Sequence, residues 1–367
     1  MREVFYCSQC EQELTEETAY FMEDEVYCLD CFEELTDTCA ECGERIYISE
    51  NEGTEDTPLC SHCYHHYYTN CNHCDELIPL DSAYYEQGVY YCEDCYHEKI
   101  ERKLIHDYSY KPYPIFYGKG NRFFGVELEI DDGGRVYDNA KKILELANDT
   151  NEHIYIKEDG SLSDGFEIVS HPMTLDYHKN IMNWQEIMKE ALAMGYYSHQ
   201  SGTAGLHIHV NRNCFGEYAE EQENPISRVL YFVEMFWNEM LCFSRRTEKQ
   251  MKQWANRYGR KNSPKETLYH AKDSENGRYT CVNLNNYSTI EFRLFRGTLK
   301  YNTFIATLQM INEICDVAIS FSDEELDKLS WNGFVSQLDS EKVPELIQYL
   351  KERRLYCNEP VLCEEEM

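Results

Sequence analysis

Twelve of the 18 cysteines lie in six Cys-x2-Cys pairs within the first 95 residues. Four thiolates complete the tetrahedral shell of Zn²⁺ and leave no open position, which is the structural type of zinc site. Paired cysteines can also form disulfides, but the first residues contain no apolar leader, so we expect a reducing compartment and a metal. The predicted zinc ligands are Cys7, Cys10, Cys28, Cys31, Cys39, Cys42, Cys60, Cys63, Cys71, Cys74, Cys92 and Cys95.

The cysteine pairs form an internal repeat with a period of 32 residues. Cys7 and Cys10 are followed by Cys28 and Cys31, and the same spacing recurs in the next two blocks. A block of this size is too short to fold on apolar burial alone, so we expect zinc to supply the folding free energy. The spacing resembles that of LIM-like and treble-clef zinc modules. We therefore predict three tandem four-cysteine modules over residues 1–105, each with one structural Zn²⁺.

A second set of chemical groups lies on segments that alternate apolar and polar residues, the pattern of strands with one face on a core. In one of them Ile290 and Phe292 alternate with Glu291 and Arg293, and the apolar Phe295 breaks the alternation. A single such strand is compatible with a solvated sheet face. Several acidic strand faces together would repel one another unless cations bind them, and carboxylates suit Mg²⁺ or Mn²⁺. The candidates are Glu127, Glu129, Asp159, Glu167, His207, His209, Glu291 and Arg293.

Arginines accompany these acids, and a guanidinium binds phosphate or carboxylate oxygens through paired hydrogen bonds. Acids that hold a metal and arginines that hold phosphates together suggest a metal–nucleotide site on an open antiparallel sheet. The arginines that could bind nucleotide phosphates are Arg246, Arg278, Arg293 and Arg296.

The composition changes along the chain and predicts its division. A Tyr/Pro-rich segment, 106–120, indicates an extended linker. An ordinary globular composition follows over 121–325, and 326–367 is predicted to contain helices and an acidic tail. Alternation predicts strands at 124–130, 153–157, 166–170, 205–210, 278–284 and 288–296, and helical periodicity predicts helices at 136–148, 175–194, 226–243 and 301–319.

Charge and hydropathy exclude two classes of partner. The chain has a net charge of −33, and residues 1–100 contain 25 acidic residues against Arg2, Arg45 and Lys99. Such a segment repels a phosphate backbone, so we expect no binding of nucleic acid. No run of about 18 apolar residues occurs, so we expect no membrane span and a cytoplasmic protein.

The candidate motifs occur in an order that resembles the amidoligase family, which belongs to the glutamine-synthetase-like carboxylate–amine ligases. The resemblance covers about residues 121–320 and implies an α+β fold with a glutamine-synthetase-like antiparallel sheet and helices on one face, here preceded by the small zinc-stabilised modules. The motifs are Gly125-Val126-Glu127-Leu128-Glu129, Asp159-Gly160-Ser161-Leu162, Glu167-Ile168-Val169-Ser170, Gly205-Leu206-His207-Ile208-His209 and Thr289-Ile290-Glu291-Phe292-Arg293.

The resemblance also implies an activity and roles. ATP would phosphorylate a carboxylate, and an amine would attack the acyl phosphate to give an amide. One Mg²⁺ (or Mn²⁺) would be held by Glu129, Asp159 and Glu167, and another by Glu127, His207 and Glu291. The residues expected to contact ATP are His209, Arg246 and Arg293. The residues expected to take part in catalysis are Arg293, His209, Arg278 and Arg296.

This sequence departs from the family pattern in two places. Asp159 stands where glutamine synthetase has a longer acid. Ala204 precedes the Gly of the His-x-His motif where the family often has a cysteine, so that cysteine cannot be essential.

Two other functions stay open at this point. The ligase-like domain could be inactive in an adaptor built on the zinc modules, or His207 and His209 could serve a metal-dependent hydrolase. The retained acids and Arg293 argue against the first, and the surrounding arginines against the second. The acidic zinc modules suit a protein or peptide partner, and the ligase interpretation requires a small-molecule or peptide amine and carboxylate.

Overall fold

The computed structural model describes residues 4–86, 88–149, 151–275 and 277–356. The chain forms two units, Met1–Ile100 and Glu101–Met367, and the boundary lies five residues before the predicted one. The acidic tail predicted after residue 356 lies outside the described residues. No helix in the described part of the chain is long and apolar enough to cross a membrane.

Each module of the first unit has short antiparallel hairpins followed by a helix that begins at the second cysteine pair. The first and third modules have two hairpins, and the second has one hairpin and a 3-10 turn. Its buried residues form three separate small clusters that contain the cysteines themselves. Its strands are β1 Phe5–Tyr6, β2 Glu13–Leu14, β3 Tyr20–Met22, β4 Glu25–Tyr27, β5 Thr36–Thr38, β6 Arg45–Tyr47, β7 Tyr68–Asn70, β8 Leu77–Pro79, β9 Tyr84–Glu86 and β10 Val89–Tyr91. Its helices are α1 Leu29–Leu35, the 3-10 turn Ile48–Glu50, α2 Ser61–Tyr67 and α3 Glu93–Leu104.

The second unit is built on a seven-stranded sheet with the strand order β11-β13-β14-β12-β15-β17-β16. Neighbouring strands are antiparallel except β11 and β13, which are parallel. The architecture is therefore mixed α+β, as predicted. The strands are β11 Ile105–His106, β12 Phe124–Ile130, β13 Ile154–Lys157, β14 Phe166–Ser170, β15 Gly205–Asn211, β16 Val282–Asn283 and β17 Thr289–Arg296.

One apolar face of this sheet packs with the helices into a single hydrophobic core. Val126, Leu128 and Ile208 are fully buried there, and Trp184 contacts Phe304 with a ring separation of 4.8 Å. The helices are α4 Tyr137–Ala147, α5 Leu175–Asn180, α6 Trp184–Ala193, the 3-10 turn Arg212–Phe215, α7 Ala219–Met235, α8 Trp237–Ser244, α9 Glu248–Trp254, α10 Pro264–Lys272, α11 Tyr301–Ser320, α12 Asp323–Lys328, α13 Trp331–Ser336 and α14 Pro344–Glu352.

Two of the predicted helices were wrong in extent. The helix predicted over 175–194 is split into α5 and α6 around residues 181–183, and that predicted over 226–243 is two helices, α7 and α8, which meet at Phe236. Helical periodicity of apolar residues continues across both breaks, because both flanking helices bury a face in the same core.

A bulge in β17 explains the apolar residue that breaks the alternation. Ile208 pairs with Phe292 and Leu206 pairs with Phe295, so two residues of β17 lie opposite His207. The extra residue shifts the phase of the strand, and Phe295 enters the core, where it is 2 % exposed and packs on Phe243. The departure from period two is thus a structural feature of the strand beside the polar site.

Candidate functional site

The polar face of the central strands collects the predicted acids and histidines. Every second side chain of a strand points to the same face of the sheet, and strand pairing places such side chains opposite one another on neighbouring strands. Three facing pairs follow from the observed register. They are Glu129 with Glu167, Glu127 with His207, and His209 with Glu291.

Two groups of possible ligand atoms lie close enough to share an ion. The atoms of Glu127, His207 and Glu291 lie within 4.8 Å of one another, and so do those of Glu129, Glu167 and His207. The Nδ1 atom of His207 is 3.3 Å from Glu127 Oε2 and 3.7 Å from Glu129 Oε1. His207 therefore stands between two adjacent carboxylate groups and can serve either one. Carboxylate and imidazole donors in this number fit Mg²⁺ or Mn²⁺.

Asp159 lies outside both groups. It lines the adjoining cleft, and its Oδ1 accepts a hydrogen bond of 2.7 Å from the backbone of Ser161. The structure thus places His207, rather than Asp159, beside Glu129 and Glu167. The assignment of Asp159 as a metal ligand stays a prediction.

Burial and crowding of charge divide the acids into two kinds. Burial, with Glu127 and Glu129 nearby, raises the pKa of Glu167 well above its usual range, although Lys157 Nζ lies 3.1 Å away. Burial also raises the pKa of Glu129. For Glu127 burial acts in the same direction, but His209 and His207 outweigh it and hold its pKa well below the usual range. The polar face that carries Glu127, Glu129, Glu167 and Glu291 therefore favours the binding of a cation.

Glu291 is fixed by three neighbours and is 4 % exposed. Its Oε2 accepts hydrogen bonds from Asn283 Nδ2 at 2.8 Å and Asn286 Nδ2 at 3.1 Å, and its Oε1 pairs with Arg293 Nη1. Sequence reasoning missed both asparagines and also Lys157. Asn283 and Lys157 lie in strands predicted at 278–284 and 153–157, of which the first is shorter, Val282–Asn283, and Asn286 lies between β16 and β17. Nothing local indicates that Asn283 pairs with Glu291 or Lys157 with Glu167.

Three of the four predicted arginines meet at one cleft of about 460 Å³ beside the acids. Arg246, Arg278 and Arg293 line it together with Glu129 and His207. The Nε atom of Arg293 is buried and has no hydrogen-bond partner among the described residues, so this guanidinium retains donor capacity. Burial lowers the pKa of Arg246 to about 10, which leaves it a cation at neutral pH.

Arg296, the fourth predicted arginine, does not line this cleft. It lies in a separate depression with Arg245 and Arg353, and Arg246 is the one residue in the described part of the chain that lines both. His209, in contrast, lines a second cleft of about 580 Å³ that contains Glu127, Glu167 and Glu291.

The absence of a side chain at Gly205 leaves space for three functional side chains to approach one another. A Cβ atom at Gly205 would lie 2.7 Å from Arg246 Nη2, 2.9 Å from His207 Nε2 and 3.3 Å from Glu129 Oε2. The backbone N–H of Gly205 also donates a hydrogen bond to Glu129 Oε2. Three functional groups therefore meet over the one position of β15 that has no side chain.

The segment predicted as a linker contributes to the same site. Its first residue, His106, lies in β11, and Tyr108 pairs through its hydroxyl with Arg278. Lys157 Nζ lies 5.6 Å from the centre of the Tyr108 ring, and Lys111 lines the second cleft. A Tyr/Pro-rich composition predicts an extended linker, but it does not indicate the turn in which Tyr110 N–H donates to the carbonyl of Asp107, or what the segment packs against.

The twelve paired cysteines form three clusters of four, one in each module. At a Zn–S distance of about 2.3 Å, the edge of a tetrahedron of sulfurs is about 3.8 Å. One Sγ–Sγ distance in each module matches that edge. The distances are 3.7 Å for Cys10 and Cys28, 3.9 Å for Cys42 and Cys60, and 3.8 Å for Cys74 and Cys92.

The first cysteine of each module is prepared for the thiolate form. Burial raises the pKa of Cys7, but hydrogen bonds from the backbone of Cys10 and Cys28 outweigh it and bring the pKa down to about 6. The same pattern gives about 6 for the pKa of Cys39 and of Cys71. Neighbouring thiols and burial instead raise the pKa of the last cysteine of each module, Cys31, Cys63 and Cys95, so the backbone donors favour the thiolate at the first cysteine only.

Comparison with known proteins gives one family. The sequence model of the family described as "Putative amidoligase enzyme" matches residues 137–315, just under half of the chain, so the chain is similar to that family over this range. A comparison with curated protein sequences gave no match.

Among solved structures, a bifunctional glutathione synthetase from Pasteurella multocida has 15% identical residues and a TM-score of 0.34. The alignment covers 64% of this chain and 46% of that one, so this chain spans less than half of the length of that protein.

Proposed function

We propose that the second unit is an ATP-dependent carboxylate–amine ligase that forms an amide bond through an acyl phosphate. The observation that carries this proposal is the pair of carboxylate–imidazole groups sharing His207, with Arg246 and Arg293 at the adjoining cleft. Phosphoryl transfer depends on positioning and on neutralising negative charge, which this combination of groups can provide. The similarity of residues 137–315 to an amidoligase family supports the same reaction class.

The residues that would hold two divalent cations are those of the two groups, with Asp159 as a further candidate. Mg²⁺ or Mn²⁺ bound there would neutralise the β- and γ-phosphates of ATP. Arg293 is 9 % exposed and is held by Glu291, so its guanidinium is oriented before any ligand binds. Arg246 directs Nη2 to the same point as His207 and Glu129.

The reaction assigned to this cleft consumes ATP, a carboxylate and an amine and yields an amide, ADP and phosphate. A carboxylate oxygen of the substrate attacks the γ-phosphorus and ADP leaves. The amine then attacks the acyl carbon, loses a proton and displaces phosphate. Arg246 and Arg293 stabilise the charge of the transferred group, and His209, next to Glu127 at 3.2 Å, contacts the nucleotide phosphates.

For the first unit we infer a recruiting role for a protein or peptide partner. Three zinc modules with an excess of acids, 25 against three bases over residues 1–100, suit a partner with a basic surface. Exposed aromatic rings in these modules, such as Tyr6, Phe21 and Tyr85, offer contact area.

The test is Mg²⁺-dependent release of ADP from ATP, screened against pools of amino acids, polyamines and peptides. Release that requires an added amine or carboxylate supports the ligase. Glu291→Gln should abolish it, because the variant keeps the shape of the side chain but loses one ligand charge. Glu186→Gln, which removes an exposed carboxylate on α6, is the matched control and should retain full activity.

If the protein neither binds MgATP nor releases ADP with any pool, the ligase proposal is wrong, and the non-catalytic adaptor becomes the better interpretation. If ADP is released equally by wild type and Glu291→Gln, the activity does not belong to this site.

A further inference from the structure

A second concentration of positive charge lies next to the proposed catalytic cleft. Arg245, Arg246, Arg296 and Arg353 line a depression of about 580 Å³ together with His199. Among the described residues, none of those lining it is a carboxylate. In a chain with a net charge of −33, four arginines without a lining acid are an exception that requires an explanation.

The arginines are held in place by neutral groups. Arg245 Nη2 donates to the carbonyl of Gly297 at 3.2 Å. Arg353 donates to the carbonyl of Cys242 from Nε at 3.1 Å and from Nη2 at 2.8 Å. These bonds fix the side chains but leave their charge uncompensated.

The guanidinium groups of this depression can also donate further hydrogen bonds. A guanidinium has five N–H donors, and the backbone bonds of Arg245 and Arg353 use only some of them. The buried Nε of Arg296 has no hydrogen-bond partner among the described residues. An unpaired buried donor of this kind is costly, and an oxyanion is the ligand that would satisfy it.

The backbone at Arg245 is a further indication. This residue follows α8 with φ 62° and ψ 12°, in the left-handed region where glycine is the favoured residue. An arginine there is less favourable than a glycine, because its Cβ atom crowds the following carbonyl oxygen. A strained residue whose side chain enters a depression is typical of a functional position.

We propose that this arginine pocket, formed by Arg245, Arg296 and Arg353, binds an oxyanion: a phosphate or a carboxylate group. Arg246 lines both the pocket and the proposed catalytic cleft, so the bound anion lies beside that cleft. A substrate that reaches both places carries a second acidic group. The binding itself does not depend on the proposed ligase reaction.

The experiment measures calorimetric binding of inorganic phosphate and, separately, of succinate to the zinc-loaded full chain without ATP or Mg²⁺. The variant is Arg245→Gly, which removes one guanidinium and its bond to Gly297 but relieves the backbone strain, so its melting temperature should change little. Arg354→Gly is the matched control, because Arg354 also has a positive φ of 59° but does not line the pocket. Arg296→Gln tests a second pocket residue.

We expect the wild type and Arg354→Gly to bind at least one of the two anions, with Arg245→Gly and Arg296→Gln weaker by about tenfold or more. Binding of phosphate alone identifies a phosphate source, and binding of succinate alone identifies a carboxylate. Absence of binding of both anions to the wild type, or wild-type affinity in Arg245→Gly, overturns the proposal. Because no activity is measured, these results are independent of whether ADP is released.

Discussion

Replacing Gly205 with alanine perturbs the proposed metal groups without removing any ligand. The added Cβ would lie 2.7 Å from Arg246 Nη2 and 2.9 Å from His207 Nε2. Non-bonded heavy atoms settle at about 3.5 Å or more, so each of these atoms must move by roughly 0.6–0.8 Å. Gly205 has no positive φ, so alanine fits the backbone itself.

The displacement should affect binding far more than folding. The atoms that must move are the ends of side chains, so we expect a loss of stability of about 1–2 kcal/mol at most. His207 belongs to both groups of ligand atoms, and misplacing a ligand or its support lowers metal affinity by about 10- to 100-fold. This corresponds to about 1.4–2.7 kcal/mol of binding free energy.

The assay is calorimetric titration of zinc-loaded protein with Mn²⁺, together with thermal unfolding of the same samples. Gly125→Ala is the matched control. Gly125 lies on the neighbouring strand β12, opposite His209, and its Cβ would meet only His209 Cβ at an ordinary 3.5 Å. We expect Gly125→Ala to bind Mn²⁺ like the wild type.

Two results would refute this reasoning. Wild-type Mn²⁺ affinity in Gly205→Ala would mean that His207 is not needed where the structure places it. An equal loss in Gly125→Ala and Gly205→Ala would mean that stiffening a strand, rather than the contact with Arg246 and His207, causes the effect.

Three further predictions concern other parts of the chain. Elemental analysis should find three zinc ions per chain. Cys39→Ser should lower this number to two, since it breaks one of the three cysteine clusters. An unchanged number of zinc ions in the variant would contradict the assignment. Burial lowers the pKa of His178 to about 4. As the pH falls below 6.5, this histidine is therefore protonated in the unfolded state before it is protonated in the folded state. The free energy of unfolding should decrease by about 3 kcal/mol between pH 6.5 and pH 4. Chemical unfolding should show this slope reduced in His178→Gln, and identical slopes would exclude the effect. Deletion of residues 1–100 should leave ADP release intact. Deletion of residues 1–112 should lower it by about tenfold or more, because β11 and Tyr108 are lost. Equal activities of the two deletion variants would exclude a role for residues 101–112.

The grouping of the cysteines into three clusters of four was predictable because it is local. Two cysteines separated by two residues can bind one ion in a short turn, and the period of 32 residues defines the modules without knowledge of their packing. The family resemblance likewise rests on short motifs that are read directly from the chain, and the family match over residues 137–315 agrees with it.

Strand periodicity predicted which residues share the polar face but not which of them meet. Period two is a property of one strand, whereas strand order and register are set by packing of the whole sheet. The register places His207 with Glu129 and Glu167, and leaves Asp159 at the adjoining cleft. The same register brings Asn283 to Glu291.

The sequence by itself therefore determined the four-cysteine repeat and the polar strand faces, because each depends on neighbours along the chain. Only the tertiary structure decided that Tyr108 joins the cleft, that Arg296 lies with Arg245 and Arg353, and that a bulge turns Phe295 into the core. These outcomes depend on contacts between residues far apart in sequence, which local patterns do not encode.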